Sequence, residues 1–222
     1  ANIDPNNIAS LQRGAANFMN YCAGCHSAKY VRYSTIGKYL ELSDEQLIEN
    51  LMFNADKTFE TINAAMPAAS AERWFGVTPP DLSLMARAKG ADHIYSFLKG
   101  FYVEEGSPTG VNNTVLPGTS MPHVLWKLQG FQTAHFEEHI ETDADGNEIV
   151  STVFKEFEQV TPGLMSPEEY DGFVRDTTNF LAHIAEPMRA DRRKIGVWVM
   201  IYLVVLLILA AALKKEIWRD VK

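Results

Sequence analysis

Cys22-Ala23-Gly24-Cys25-His26 is the stretch that most restricts what this chain can fold into. Two thiols three positions apart, with a histidine directly after the second, form the pattern that fixes a haem covalently. The thiols bond the two vinyl groups on one edge of the porphyrin and leave the imidazole of His26 beneath the iron. A domain carrying this pattern is built around a planar group, and its chemistry is the movement of single electrons. Half of a zinc site is the competing reading, but structural zinc takes four ligands, usually from two such pairs. The chain has only two cysteines, both in this motif. A thioredoxin-like redox pair would need an α/β pattern, which the chain lacks.

Ile195 to Leu213 is nineteen residues without a charge. At about 1.5 Å per residue it matches the roughly 30 Å hydrocarbon core of a bilayer. It is apolar on every face, unlike the amphipathic helix of a soluble core, and it reads as one transmembrane helix. Trp198, Tyr202 and Trp218 supply interfacial aromatic rings. Arg189, Arg192, Arg193 and Lys194 precede the span, and Lys214, Lys215, Arg219 and Lys222 follow it, so basic residues alone do not orient it. The expected organisation is a haem-binding ectodomain (1–186), a basic juxtamembrane linker (187–194), the span (195–213) and a short tail (214–222). With no leader visible at Ala1, an ectodomain that must cross the membrane reads as a mature, processed chain.

Eight of the 20 basic residues but only three of the 28 acidic ones lie in 187–222. Residues 1–186 are therefore strongly acidic, twelve basic against twenty-five acidic. Such a surface steers a basic soluble partner and disfavours nucleic acid; it serves solubility equally well.

Helix signals dominate the ectodomain. Ile8, Leu11, Ala15, Phe18 and Cys22 recur at helical spacing and deliver the chain into the haem motif. Ser43 with Gln46 forms a capping box before Leu47, Ile48, Leu51 and Met52. A short helix is expected through Ile94, Phe97, Leu98 and Phe101. A longer one starts at Ser166-Pro167-Glu168-Glu169, buries Tyr170, Phe173, Val174, Thr177, Leu181 and Ile184, and stops at Pro187. Between Ala134 and Val160 the pattern suits a hairpin turning at Asp145-Gly146-Asn147. It contains His135-Phe136-Glu137-Glu138-His139, which matches a zinc-peptidase pattern that requires a helix. On a strand the two histidines lie roughly 13 Å apart, too far to share an ion. The fold expected is mainly α: a cytochrome c-like haem domain with loop insertions and a small β-hairpin, plus one C-terminal transmembrane helix.

The face of the iron opposite His26 needs a ligand if the protein is a carrier, and a methionine thioether there raises the potential. Met66-Pro67 and Met121-Pro122 both suit, each stiffened by proline. Met121 lies in the long irregular loop Leu116-Pro117-Gly118-Thr119-Ser120-Met121-Pro122.

The chain resembles the cytochrome c1 family, the haem subunit of the quinol–cytochrome c oxidoreductase (cytochrome bc1) complex, in a bacterial form. The matching stretches are Cys22 to Ser27 followed by Tyr30-Val31, Thr78-Pro79-Pro80-Asp81-Leu82-Ser83 with Arg87 after it, Pro117-Gly118 ahead of Met121, and Phe180 to Arg193 running into the span. The resemblance implies one covalent haem c on Cys22 and Cys25. It implies His26 and Met121 as axial ligands of the iron, Arg87 paired with a propionate, and Pro80 packed near the ring. It implies no catalysis of its own, but a relay from the Rieske iron–sulfur protein, beside cytochrome b, to a soluble or tethered cytochrome c. It further implies a dimeric complex in the bacterial inner membrane with the haem domain on the periplasmic side. The hairpin near Asp145 is longer than the mitochondrial pattern. Two other readings use the same motif: a free-standing membrane-anchored cytochrome feeding a terminal oxidase, and an open-haem peroxidase, which would bind carbon monoxide when reduced.

Overall fold

A computed structural model describes residues 1–142 and 148–220, which divide into two units, Ala1–Ala185 and Glu186–Lys222. In the first unit, helix α1 (Ile8–Tyr21) is started by Asn7, whose side chain accepts from the Ser10 amide. It is followed by β1 (Ala28–Arg32), α2 (Tyr33–Tyr39) and α3 (Asp44–Leu51), then β2 (Thr61–Ile62), α4 (Ala68–Phe75), α5 (Met85–Lys89) and α6 (Ala91–Lys99). The remainder is β3 (Phe101–Val103), β4 (Val111–Asn113), α7 (Trp126–Gln129), the long strands β5 (Gly130–Thr142) and β6 (Glu148–Pro162), and α8 (Pro167–Ala185). The chain is mostly helical, with small antiparallel pairs β1–β2, β3–β4 and β5–β6, as expected.

The core is organised by α1 crossing α8, the first and last helices of this unit. Phe18 meets Phe180 at 5.7 Å between ring centroids, and Tyr21 meets Phe173 edge-on at 5.3 Å. Gly14 marks the closest approach: a Cβ there would lie 2.1 Å from the Asp176 carbonyl oxygen and 2.7 Å from Phe180 Cβ. Several polar groups caught in this contact are paired across it. Ser10 Oγ donates to Asp176 (2.6 Å), and Asn17 Nδ2 donates to the Phe173 carbonyl (3.2 Å) and to Thr177 Oγ1 (3.1 Å).

Both capping boxes form. Ser43 and Gln46 bond reciprocally at α3, and Ser166 and Glu169 do the same at α8. The face expected on α8 is buried at Tyr170, Val174, Thr177, Leu181 and Ile184. Helix α6 ends earlier than its apolar spacing suggests, at Lys99, and Phe101 belongs to β3 instead. Gly100 lies at the change, where a side chain would meet Thr114 Oγ1 at 2.8 Å and the Ser96 carbonyl at 2.9 Å, and Phe101 pairs with Asn113 across the β3–β4 ladder.

The β5–β6 ribbon is longer than the sequence pattern suggests and carries two register shifts, between Phe131 and Gln132 and between His135 and Phe136. The turn expected at Asp145-Gly146-Asn147 lies outside the described residues. The base of the ribbon is pinned by Gln132, whose Nε2 donates to the carbonyls of Lys99 (3.0 Å) and Phe101 (2.8 Å).

In the second unit, α9 (Arg189–Ile217) contains the expected span, and Asp191–Ile217 is long and apolar enough to cross a membrane. The basic stretch read as a linker is helical from Arg189, continuous with the span. Arg192 pairs with Glu186.

Candidate haem-attachment site

The attachment motif is a single tight turn that caps α1. The amides of Cys22 and Ala23 both donate to the Phe18 carbonyl (2.8 and 2.9 Å), and those of Cys25 and His26 both donate to the Cys22 carbonyl (3.0 and 2.8 Å). One turn of backbone therefore carries both thiols and the imidazole. Both cysteines are free of any disulfide. Burial, with a smaller push from Cys25, raises the Cys22 thiol to about 12, and burial raises Cys25 as well. These thiols are protonated at neutral pH. Among the described residues no group of three or more His, Cys, Asp or Glu is arranged to hold a metal ion.

His26 is nearly buried, and its Nδ1 lies 2.8 Å from the Pro80 carbonyl oxygen. A carbonyl only accepts, so Nδ1 carries the proton and the lone pair on Nε2 stays free. That is the tautomer an iron ligand needs, with its ring oriented by the second nitrogen. Burial lowers the pKa of His26, which the Pro80 contact and nearby Asp81 only partly offset, so the neutral form prevails. A neutral imidazole with a free Nε2, on the turn that bears two unpaired thiols, fits a covalent haem.

The Thr78–Ser83 segment does more than supply Pro80. Asp81 Oδ2 accepts from Ser27 Oγ and from the Lys29 amide, both at 2.8 Å, and Oδ1 accepts from the Ser83 amide at 2.9 Å. Ser83 is fully buried; its Oγ accepts from the Tyr30 amide (3.1 Å), and the Leu82 amide donates to the Ser27 carbonyl (2.8 Å). Asp81 is thus a clamp between the two segments that meet at His26. Sequence reasoning singled out Pro80 and missed this neighbour. The Asp-x-Ser spacing of an Asx turn was the available signal.

Met66 and Met121 are both half-buried. The Met66 amide donates to the Gly24 carbonyl (2.9 Å), and the Ala65 amide donates to the Ala23 carbonyl (3.2 Å), so this irregular segment is laced to the attachment turn itself. Met121 is carried by the separate 115–122 loop, its amide near Thr119 Oγ1 (3.4 Å). Arg87 is exposed on α5 and makes no ion pair among the described residues, and Pro80 is exposed apart from its carbonyl. His123, which sequence reasoning passed over, is buried and stacked on Phe101 (centroids 5.0 Å apart), and burial lowers it to about 4.

His135 and His139 stand on β5, not on a helix. His135 Nε2 lies 2.9 Å from Glu158 Oε2 across the ribbon. The zinc-peptidase pattern therefore lacks the geometry it requires.

A sequence model of the Cytochrome C1 family matches residues 3–221. Cytochrome c1 of Allochromatium vinosum is 46% identical over 221 residues, covering all of this chain and 88% of the relative. A Nitrosomonas europaea protein named ammonia monooxygenase gamma subunit is 39% identical, covering all of this chain and 87% of its own length. Cytochrome c1 of Rhodospirillum rubrum is 28% identical, covering 96% of this chain and 82% of its own. With the attachment turn, the oriented histidine and the C-terminal span already in place, the chain belongs to the cytochrome c1 family, membrane-anchored electron-transfer subunits of the bc1 complex that carry one covalently bound haem c.

Proposed function

We propose that this chain relays single electrons from the Rieske iron–sulfur protein to a soluble or tethered cytochrome c, beside cytochrome b in a dimeric complex of a bacterial inner membrane. Residues 1–186 stand on the periplasmic side as the haem domain, 187–194 lead into the membrane, 195–213 span it, and 214–222 form a cytoplasmic tail. Haem c, when bound, supplies the one-electron couple. The side chains do the rest: Cys22 and Cys25 would hold the haem, and His26, oriented by the Pro80 carbonyl, would offer its Nε2 to the iron. Met121 would offer its thioether as the iron's other protein ligand, Arg87 would give a propionate a charge-assisted pair, and Pro80 would pack near the ring. No bond-making chemistry falls to this chain. Its acidic surface speeds encounter with a basic acceptor.

The observation that carries the reading is the His26–Pro80 contact, which leaves the correct nitrogen free beside two unpaired thiols. Met121 is favoured over Met66 because the Met66 backbone is bonded to the attachment turn, whereas Met121 comes from a separate loop. A redox titration with optical spectra of Met121→Leu beside the parent tests this. The expected result is a large fall in potential with new carbon monoxide binding. An unchanged potential and spectrum would assign the ligand elsewhere, Met66 first.

A further inference from the structure

The segment Val115–Met121 has no helix or strand, yet most of its amides are bonded within the protein. Asn113 is fully buried, and its side chain is committed to the backbone. Its Nδ2 donates to the Phe97 carbonyl on α6 (2.8 Å), and its Oδ1 accepts from the amides of Val115 (2.9 Å) and Leu116 (3.3 Å). Asn112 Oδ1 accepts from the amides of Asn113 and Gly118, both at 2.8 Å, while its Nδ2 donates to Glu104 (2.9 Å). The Thr119 amide donates to the Leu116 carbonyl (3.2 Å), and the Met121 amide lies 3.4 Å from Thr119 Oγ1. Upstream, the Thr114 amide is tied to the Gly100 carbonyl (3.0 Å). An irregular surface loop ordinarily gives such amides to water; here two adjacent asparagines collect three of them, those of Val115, Leu116 and Gly118.

A thioether is a weak ligand, and what a weak ligand can hold depends on how little ordering remains when it binds. A loop fixed in advance by its own hydrogen bonds holds the sulfur in place without that loss. We propose that Asn112 and Asn113 are positioning residues for Met121, locking the 115–121 loop to α6 and to Glu104 so that the thioether stays on the iron. The inference rests on the reading of Met121 as axial ligand.

The test compares Asn112→Ala, Asn113→Ala, the double exchange Asn112→Asp/Glu104→Gln, and Met121→Leu with the parent, each in the intact complex. The readouts are the far-red charge-transfer band of thioether-ligated ferric haem, the midpoint potential, carbon monoxide binding to reduced protein, and thermal melting. Both alanine variants are expected to weaken the band and admit carbon monoxide to part of the sample. Loss of the positioning bonds should cost about tenfold in the preference for the ligated site, read as about tenfold easier displacement of the thioether by carbon monoxide, with the potential falling by at most about 59 mV, the limit in which the whole loss falls on the ferrous state. The double exchange restores the parent values, because the introduced carboxylate still accepts from Asn113 and Gly118 and the introduced amide donates back to it. If the alanine variants melt earlier but keep band, potential and refusal of carbon monoxide, while Met121→Leu loses all three, the asparagines are structural only and the proposal fails alone. If Met121→Leu changes none of them, the ligand reading fails and the proposal with it. Should Asn113→Ala fail to assemble, Asn112→Ala and its exchange partner decide.

Discussion

Replacing Asp81 by alanine tests whether the Pro80 carbonyl is held on His26 by a clamp or merely lies there. The side chain accepts three hydrogen bonds, from Ser27 Oγ, the Lys29 amide and the Ser83 amide. Bonds to an ionised acceptor contribute about 1.5–3 kcal/mol each when well buried. Asp81 is only half-buried, so about 1 kcal/mol each, roughly 3 kcal/mol together, is the appropriate scale. At 1.4 kcal/mol per factor of ten, local opening of the 26–30/80–83 contact becomes roughly a hundredfold more frequent. Amide hydrogen exchange at Tyr30 and Leu82 reads this directly. Their own acceptors, Ser83 Oγ and the Ser27 carbonyl, are not removed by the substitution, so faster exchange there reports opening and not a deleted bond. Protection unchanged to within about threefold at both amides would refute the clamp. The pH dependence has a definite sign. Burial works against ionisation of Asp81, but the bonds from Ser83, Lys29 and Ser27 outweigh it and hold the carboxyl below the usual carboxylate range. The clamp is therefore present above the unfolded value near 4 and lost as pH falls through the lower native one. In Asp81→Ala that acid sensitivity of Tyr30 and Leu82 exchange disappears.

Asp171 bonds Lys99, Tyr95 and Arg175 between α6 and α8. Burial opposes its ionisation, but these partners bring it to about 2. Its contribution is complete above about pH 4 and fades towards pH 2; Asp171→Asn should flatten the melting-temperature profile in that window, and an unaltered slope would count against the network. Gly14→Ala places a methyl against the Asp176 backbone, so α1 and α8 must part by about 1 Å. The overpacking costs about 1–3 kcal/mol, with about 1 kcal/mol returned as helix propensity. Scanning calorimetry should show a fall of a few degrees, and a rise would contradict the close approach. Tyr170→Phe removes the buried bond from its hydroxyl to the Leu98 carbonyl (2.9 Å). The expected loss is about 1 kcal/mol in denaturant stability, and no loss would mean that the hydroxyl is not engaged.

Local chemistry was legible wherever the responsible groups are neighbours in the chain. Ser43–Gln46 and Ser166–Glu169 need only three residues and one turn, so both boxes could be read before any fold was known. The same holds for the apolar face of α8 and for the hairpin strand that denies His135 and His139 a shared ion. The end of α6 departs from the apolar spacing because Phe101 pairs with Asn113, twelve residues further on, and the Gly100 carbonyl accepts from the Thr114 amide. The extent of the ribbon escaped notice because its exposed strands lack the clean alternation of a half-buried sheet.

The sequence by itself determined the cofactor, pointed to the residues that would attach it, and marked the stretch apolar enough to span a membrane. Thioether attachment needs two thiols and an imidazole within a single turn, and a bilayer asks only for sustained apolarity. Which nitrogen of His26 is free, what holds Pro80 over it, and what fixes the loop of Met121 were decided by tertiary structure. Each depends on partners far apart in the chain: Pro80 on His26, Asp81 on Ser27 and Lys29, Asn113 on Phe97. Side-chain bonds over such separations leave no periodicity in the sequence, because their register is set only when the helices pack.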